Sequence, residues 1–117
     1  MSIRGIGVDV VDIARFEAAL VRTPSLRERL FSPTERDLPP MSLAARFAAK
    51  EALAKALGVP GGLSWHEAEV IGGSVARSAP SFALTGAVAA AVRPGRVHLS
   101  LSHDGGVAIA YVLIDDP

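Results

Sequence analysis

Glu51 and Lys55 lie four residues apart inside Ser42–Leu57, a stretch built largely from alanine and leucine with no internal breaker. A carboxylate in the middle of so apolar a helix must be paired, coordinated or turned towards a cavity, because an unpaired buried charge is expensive. Lys55 is one turn further along the same face, so an ordinary Glu-to-Lys helix pair, stabilising by roughly 0.2–0.5 kcal/mol, accounts equally well for the two. Asp9 is a second acid in apolar surroundings, within the β-branched run Ile3–Val11. Its plain reading is a strand-end residue that caps the following turn. Two acids from separate elements together suggest a divalent cation. Magnesium takes one or two protein carboxylates and completes its shell with water and substrate phosphates, so such a site fits a phosphorylated ligand, with Lys55 on a phosphate.

Other candidates are weaker. His103 continues the alternation of Val97, Leu99 and Leu101 to a strand end beside Gly105-Gly106, where a phosphate or ribose contact and a purely structural role both fit. No second histidine stands at metal-ligand spacing from it, and His66 and His98 are given no role. Gly58-Val59-Pro60-Gly61-Gly62 could present backbone N–H groups to phosphate, although a plain helix stop explains Gly58 equally well. Gly5-Ile6-Gly7 lacks the third glycine of a dinucleotide fingerprint, and that reading is rejected.

The elements that must position these residues can be read in order. Ile3–Val11 predicts a buried strand. Asp12 stands at an N-cap, and Ile13, Phe16, Leu20 and Val21 follow at helical spacing, with Arg15 and Arg22 on the wetter side. Pro24 closes that helix. Ser32-Pro33-Thr34-Glu35 has the serine, first-turn proline and third-position glutamate of a helix start, a role that suffices for all four. Ser42–Leu57 is the surest helix, stopped by Gly58. Strands are predicted through Glu67–Ile71 and Ser81–Leu84, a short helix over Ala87–Val92, and a terminal hairpin from Val97 through His103-Asp104-Gly105-Gly106 to Val107–Ile114. Helices mixed with hairpin strands, without a repeating strand-helix-strand rhythm, predict one α+β domain over residues 1–117, a small antiparallel sheet packed against the long helix.

Composition narrows the function classes. With 117 residues one domain is the prior. Half the residues are apolar and 21% charged, which excludes disorder and favours a large core or an oligomer interface. Twelve basic and twelve acidic residues cancel, removing the broad positive field of a nonspecific nucleic-acid binder. The absence of cysteine excludes disulfides, thiolate nucleophiles and cysteine metal ligands. Neither a signal peptide nor a membrane-spanning run is read, so the expected location is cytoplasmic.

Three blocks, Gly5–Ile13, Arg46–Gly58 (Arg-Phe-Ala-Ala-Lys-Glu-Ala-Leu-Ala-Lys-Ala-Leu-Gly) and Leu99–Asp104, taken in this order, resemble the holo-acyl-carrier-protein synthases. These are the short branch of the phosphopantetheinyl transferase superfamily. The Lys-Glu-Ala-x-x-Lys helix is the most specific part, and the likeness runs nearly end to end. The resemblance implies a transferase that moves the 4′-phosphopantetheine arm of coenzyme A onto a serine of apo acyl carrier protein and releases adenosine 3′,5′-bisphosphate, a step of fatty acid biosynthesis. It implies magnesium held by Asp9 and Glu51, Lys55 on the phosphates as a third catalytic residue, and further coenzyme A contacts from Arg46, Lys50, Gly58 and His103. The base that takes the serine proton stays open between Glu51 and a water on the metal. Kinship also makes the first helix the carrier-protein dock, through Arg15 and Arg22, against a plain reading as solvated surface charge, and implies a homotrimer with active sites between subunits. Two other classes compete: a noncatalytic module that binds coenzyme A or docks a carrier protein, and an oligomerising structural domain whose acids are merely capped.

Overall fold

A computed structural model describes residues 2–59, 62–73 and 79–117. Its elements run β1 (Ser2–Asp12), α1 (Ile13–Arg22), α2 (Ser25–Leu30), α3 (Pro40–Leu57), a 3-10 turn at Trp65–Glu67, β2 (Ala68–Ile71), β3 (Ser81–Leu84), α4 (Gly86–Val92), β4 (Arg96–Asp104) and β5 (Val107–Asp116). β5 lies between β1 and β4 in an antiparallel three-stranded sheet, and β2 and β3 form a separate antiparallel ribbon. This is the expected α+β architecture, with α3 across one face of the larger sheet.

Two sequence features make that packing possible. Successive strand residues face opposite sides, so Gly5, Gly7, Asp9 and Val11 share the face that meets α3. A Cβ at Gly5 would collide with the Ala56 carbonyl, and one at Gly7 with the Ala52 carbonyl. Helix and strand therefore touch backbone to backbone, with small residues on both sides. Around this contact lie Phe31, Leu43, Leu53, Val112 and Ile114, all closed to solvent. α3 starts with Pro40 at its first turn and stops at Gly58, whose φ of +68° is the left-handed cap glycine allows.

The structure changes three sequence expectations. β1 is an edge strand with only one buried face, and Ile6, Val8 and Val10 are exposed on the other, because the helix covers a single side of the sheet. A second helix, α2, begins at Pro24 where one helix was predicted simply to end; proline stops a helix behind it yet suits the start of the next. The predicted helix from Ser32 is only a turn. The Ser32 N–H donates to Glu35 Oε1 at 3.0 Å as a capping box requires, and Glu35 N–H returns to Ser32 O at 3.0 Å. Pro39 and Pro40 then end propagation before a second turn can repay nucleation.

Gly7→Ala is expected to destabilise the fold by about 3 kcal/mol, at the upper end for overpacking because the obstacle is helix backbone that cannot rotate away. Chemical denaturation of the variant against the parent measures this; an unchanged midpoint would contradict the backbone contact.

Candidate active site

Asp9 follows the glycines two residues along β1, and Glu51 precedes Ala52 on α3. The close packing of Gly7 on Ala52 thus delivers both carboxylates to one place. They line an open groove of about 550 Å³ together with Asp12, Arg15, Arg22 and Phe47. Its floor is aromatic: Phe16 of α1 stacks on Phe47 of α3 with centroids 5.2 Å apart. Asp12 accepts from the Arg15 N–H at 2.9 Å, capping α1 so that Arg15 and Arg22 stand along the groove wall.

Lys55 Nζ donates to Asp9 Oδ1 and to the Val8 carbonyl, both at 3.0 Å, while its side chain stays 54% exposed. The ammonium is therefore free to turn towards a ligand. Burial holds the Glu51 carboxyl above the usual carboxylate range; Asp9 adds to the rise and Lys55 opposes it. Two acids that repel one another in a groove, with a cation beside them, form a donor set that fits magnesium: one or two carboxylates, with the remaining positions left to water and phosphate oxygens.

Arg46 and His103 lie elsewhere. They share a second groove of about 340 Å³ with Met41, Ser42, Gly73 and Ser102. The first groove borders β1 and the second borders β4, the two opposite edges of the sheet. Arg46 is only 7% exposed, and burial lowers its pKa. Its Nη2 donates to the Gly72 carbonyl at 3.3 Å, but Nε has no partner among the described residues. A buried guanidinium short of an acceptor is suited to an anion. Hence one chain joins Asp9, Glu51, Lys55, Arg15 and Arg22, and sets Arg46 and His103 apart from them.

Two predicted ligand residues are engaged within the fold. Lys50 is closed to solvent; its Nζ donates to Glu35 Oε1 at 2.8 Å and to the Trp65 carbonyl at 2.9 Å. Gly58 spends its N–H on the helix cap, donating to the Lys55 carbonyl at 3.1 Å; Pro60 and Gly61 of the same glycine loop lie outside the described residues. Conversely, Glu35 does far more than start a turn. Its carboxylate, 1% exposed, accepts from Ser32 N–H, Lys50 Nζ and, at 2.9 Å, Val70 N–H. The serine-to-glutamate spacing pointed to the first of these bonds, and nothing in the sequence marked the other two. The aromatic floor was missed as well, since Phe16 and Phe47 look like ordinary core residues.

Comparison with known proteins places this geometry in a family. The family model of the 4′-phosphopantetheinyl transferase superfamily matches residues 5–112. The holo-[acyl-carrier-protein] synthase of Clavibacter sepedonicus is 60% identical, covering 97% of this chain and 96% of that protein. Its counterpart in Beutenbergia cavernae is 56% identical, covering 95% and 97%. Among solved structures, the Chronobacterium ammoniagenes ACPS–CoA complex superposes with a TM-score of 0.82 at 32% identity, covering 98% of both chains. The Helicobacter pylori holo-[acyl-carrier-protein] synthase with coenzyme A gives 0.81 at 35%, covering 94% and 99%.

Glu51 also makes a stability prediction. Its folded pKa is raised, so its ionised form opposes folding; that cost appears as pH rises through the ordinary carboxylate value and is complete above the raised one. Glu51→Gln is expected to melt at or above the parent temperature near pH 7 without divalent ions, with the advantage vanishing at acid pH. A variant that melts clearly lower at pH 7 in calorimetry would contradict this.

Proposed function

This chain belongs to the 4′-phosphopantetheinyl transferase superfamily, as a holo-[acyl-carrier-protein] synthase, and on that premise we propose how its residues carry the reaction. The protein transfers the 4′-phosphopantetheine group of coenzyme A to a serine of apo acyl carrier protein and releases adenosine 3′,5′-bisphosphate. In our reading residues 1–117 act as one transferase domain, with Asp9 and Glu51 holding magnesium against the coenzyme A pyrophosphate. The observation that carries the reading is the convergence of Asp9 and Glu51 in one groove beside the arginines of α1, with the Lys55 ammonium bonded to Asp9.

The serine oxygen, giving its proton to Glu51 or to water, forms a bond to the pantetheine-side phosphorus as the bond to the bridging oxygen breaks and adenosine 3′,5′-bisphosphate leaves with that oxygen, so catalysis is mainly positioning and charge stabilisation. Bound magnesium supplies Lewis-acid stabilisation of charge on the phosphate oxygens. Lys55 turns from Asp9 to hold those oxygens as a mobile point charge. Arg15 and Arg22 receive acidic residues of the carrier protein and bring its serine over the groove. Arg46 and His103 hold the anionic nucleotide end of coenzyme A.

Because those two residues stand at the opposite edge of the sheet, one coenzyme A meets both sets only when a second subunit brings its β4 edge to the β1 edge of the first. The exposed sheet face supports such assembly: Ile6, Val8, Val10 and Tyr111 are each between 44% and 57% exposed, and Val8 pairs with Tyr111 across the strands. A band of this kind on a single chain marks an interaction surface. We read the working form as a homotrimer with sites between subunits, a cytoplasmic enzyme of fatty acid synthesis. Among the described residues no helix is long and apolar enough to cross a membrane.

Incubating the protein with coenzyme A, magnesium and apo carrier protein, then weighing the carrier by mass spectrometry, tests the activity; an unmodified but competent carrier favours a noncatalytic binder. Asp9→Asn and Glu51→Gln are each expected to reduce transfer about 100-fold or more while staying folded, as a two-carboxylate metal site loses one ligand. Near-parent rates in either would remove the metal assignment. Val8→Asp, on the exposed face and outside the groove, is expected to yield monomers and abolish transfer. A fully active monomer by light scattering would sink the intersubunit site.

A further inference from the structure

We propose that the buried Glu35–Lys50 ion pair is a positioning device for the transfer reaction, fixing the rotation of α3 about its axis so that Glu51 faces one groove and Arg46 the other; the inference rests on the transferase reading above. Most amphipathic helices are set in rotation by an apolar stripe facing the core. α3 has none: buried residues Leu43, Ala44, Ala48, Ala49, Ala52 and Leu53 come from all round it. Hydrophobic burial alone therefore leaves its angular setting nearly undetermined. Gly5 and Gly7 turn the Ala52 and Ala56 face of the helix towards β1, but the alanines that flank that face leave the finer angle to other contacts.

Lys50 supplies what is missing. Its Nζ is tied to Glu35 in the 32–38 turn and to the Trp65 carbonyl in the 3-10 turn, and it lies 5.6 Å from the centroid of the Phe31 ring. Glu35 in turn accepts the Val70 N–H of β2. One helix position is thus anchored, directly or through Glu35, to three separate parts of the chain, with the Lys50 and Glu35 side chains themselves closed to solvent. A buried ion pair adds little net stability over an apolar pair of the same shape; its best-attested use is to fix register.

What the anchor would control follows from helix geometry. Glu51 is the next residue after Lys50, about 100° round the helix, and Arg46 lies one turn before Lys50. Turning α3 by about 20° would carry a side-chain tip about 2 Å, given a radius of about 5–6 Å. Displacements of about 1 Å at a reacting centre can cost about 100-fold in rate. The same anchor braces the groove wall, because Trp65 packs on Phe47, centroids 5.8 Å apart, and Phe47 stacks on Phe16.

The test removes both charges together, Glu35→Gln with Lys50→Met, in the full chain, so that neither ion is left buried alone. The expected result is a melting temperature at or near the parent value, kcat lower by about tenfold or more, a raised KM for coenzyme A because Arg46 moves as well, and altered emission of Trp65, the sole tryptophan. A merely structural pair predicts the opposite: less folded protein, but parent kcat per folded molecule and parent emission. A double variant with parent melting temperature and kcat within about twofold would overturn the proposal. If the double variant does not fold, Lys50→Arg, which keeps both charges but changes the geometry of the pair, must lower kcat per folded molecule, and parent kcat there overturns it equally. Absence of transfer by the parent protein would instead sink the transferase reading itself.

Discussion

The packing of a helix backbone against a strand backbone organises this protein. Gly5 and Gly7 on β1 and Ala52 and Ala56 on α3 leave no room for larger side chains between them, so the two elements lie closer than branched residues would permit. The residues next to that contact inherit its precision. Asp9 continues the glycine face of β1 and Glu51 adjoins Ala52, so two like charges meet at the mouth of a groove instead of diffusing apart on flexible loops. Burial first and the nearby Asp9 second raise the Glu51 pKa. Rigid elements hold the two carboxylates in that arrangement.

A second charged pair works in the opposite regime. Lys50 and Glu35 are buried, and Lys50 Nζ donates to both Glu35 Oε1 and the Trp65 carbonyl. Burial lowers the Lys50 pKa and Glu35 opposes the drop. Lys55, five residues on, keeps a half-exposed ammonium against Asp9. The two lysines of the Lys-Glu-Ala-x-x-Lys motif therefore stand in opposite environments: one is immobilised inside the fold, the other is half-exposed beside Asp9.

Much of this was legible in the sequence where local chemistry decides the outcome. α3 was recognisable because a long run without breakers ends at a glycine, and the terminal hairpin because strand alternation frames Gly105-Gly106, whose φ angles of +58° and +82° suit a two-residue turn. Asp9 and Glu51 stood out as acids in apolar surroundings. The burial of Lys50 was not legible, because alanine on every side of α3 hides which stripe faces inward. Glu35 was underestimated because the spacing that signals a helix start says nothing of partners 15 and 35 residues away. The division of ligand residues between opposite sheet edges was equally hidden, since it depends on β5 coming last in sequence yet lying between β1 and β4.

The strand pairing has a practical corollary. Ser2 lies opposite Asp116 in the β1–β5 ladder, and Arg4 grips the Asp116 carboxylate at 2.9 Å while also donating to the Ala91 carbonyl at the end of α4. Ser2 and Asp116 are thus neighbours at one corner of the sheet, while Asp9 stands about 23 Å further along β1 at the usual rise per residue. A short bridge could splice residue 116 to residue 2, closing the polypeptide at a corner away from the carboxylate groove. Purification handles or fused partners at either terminus would emerge from that same corner, remote from the chemistry.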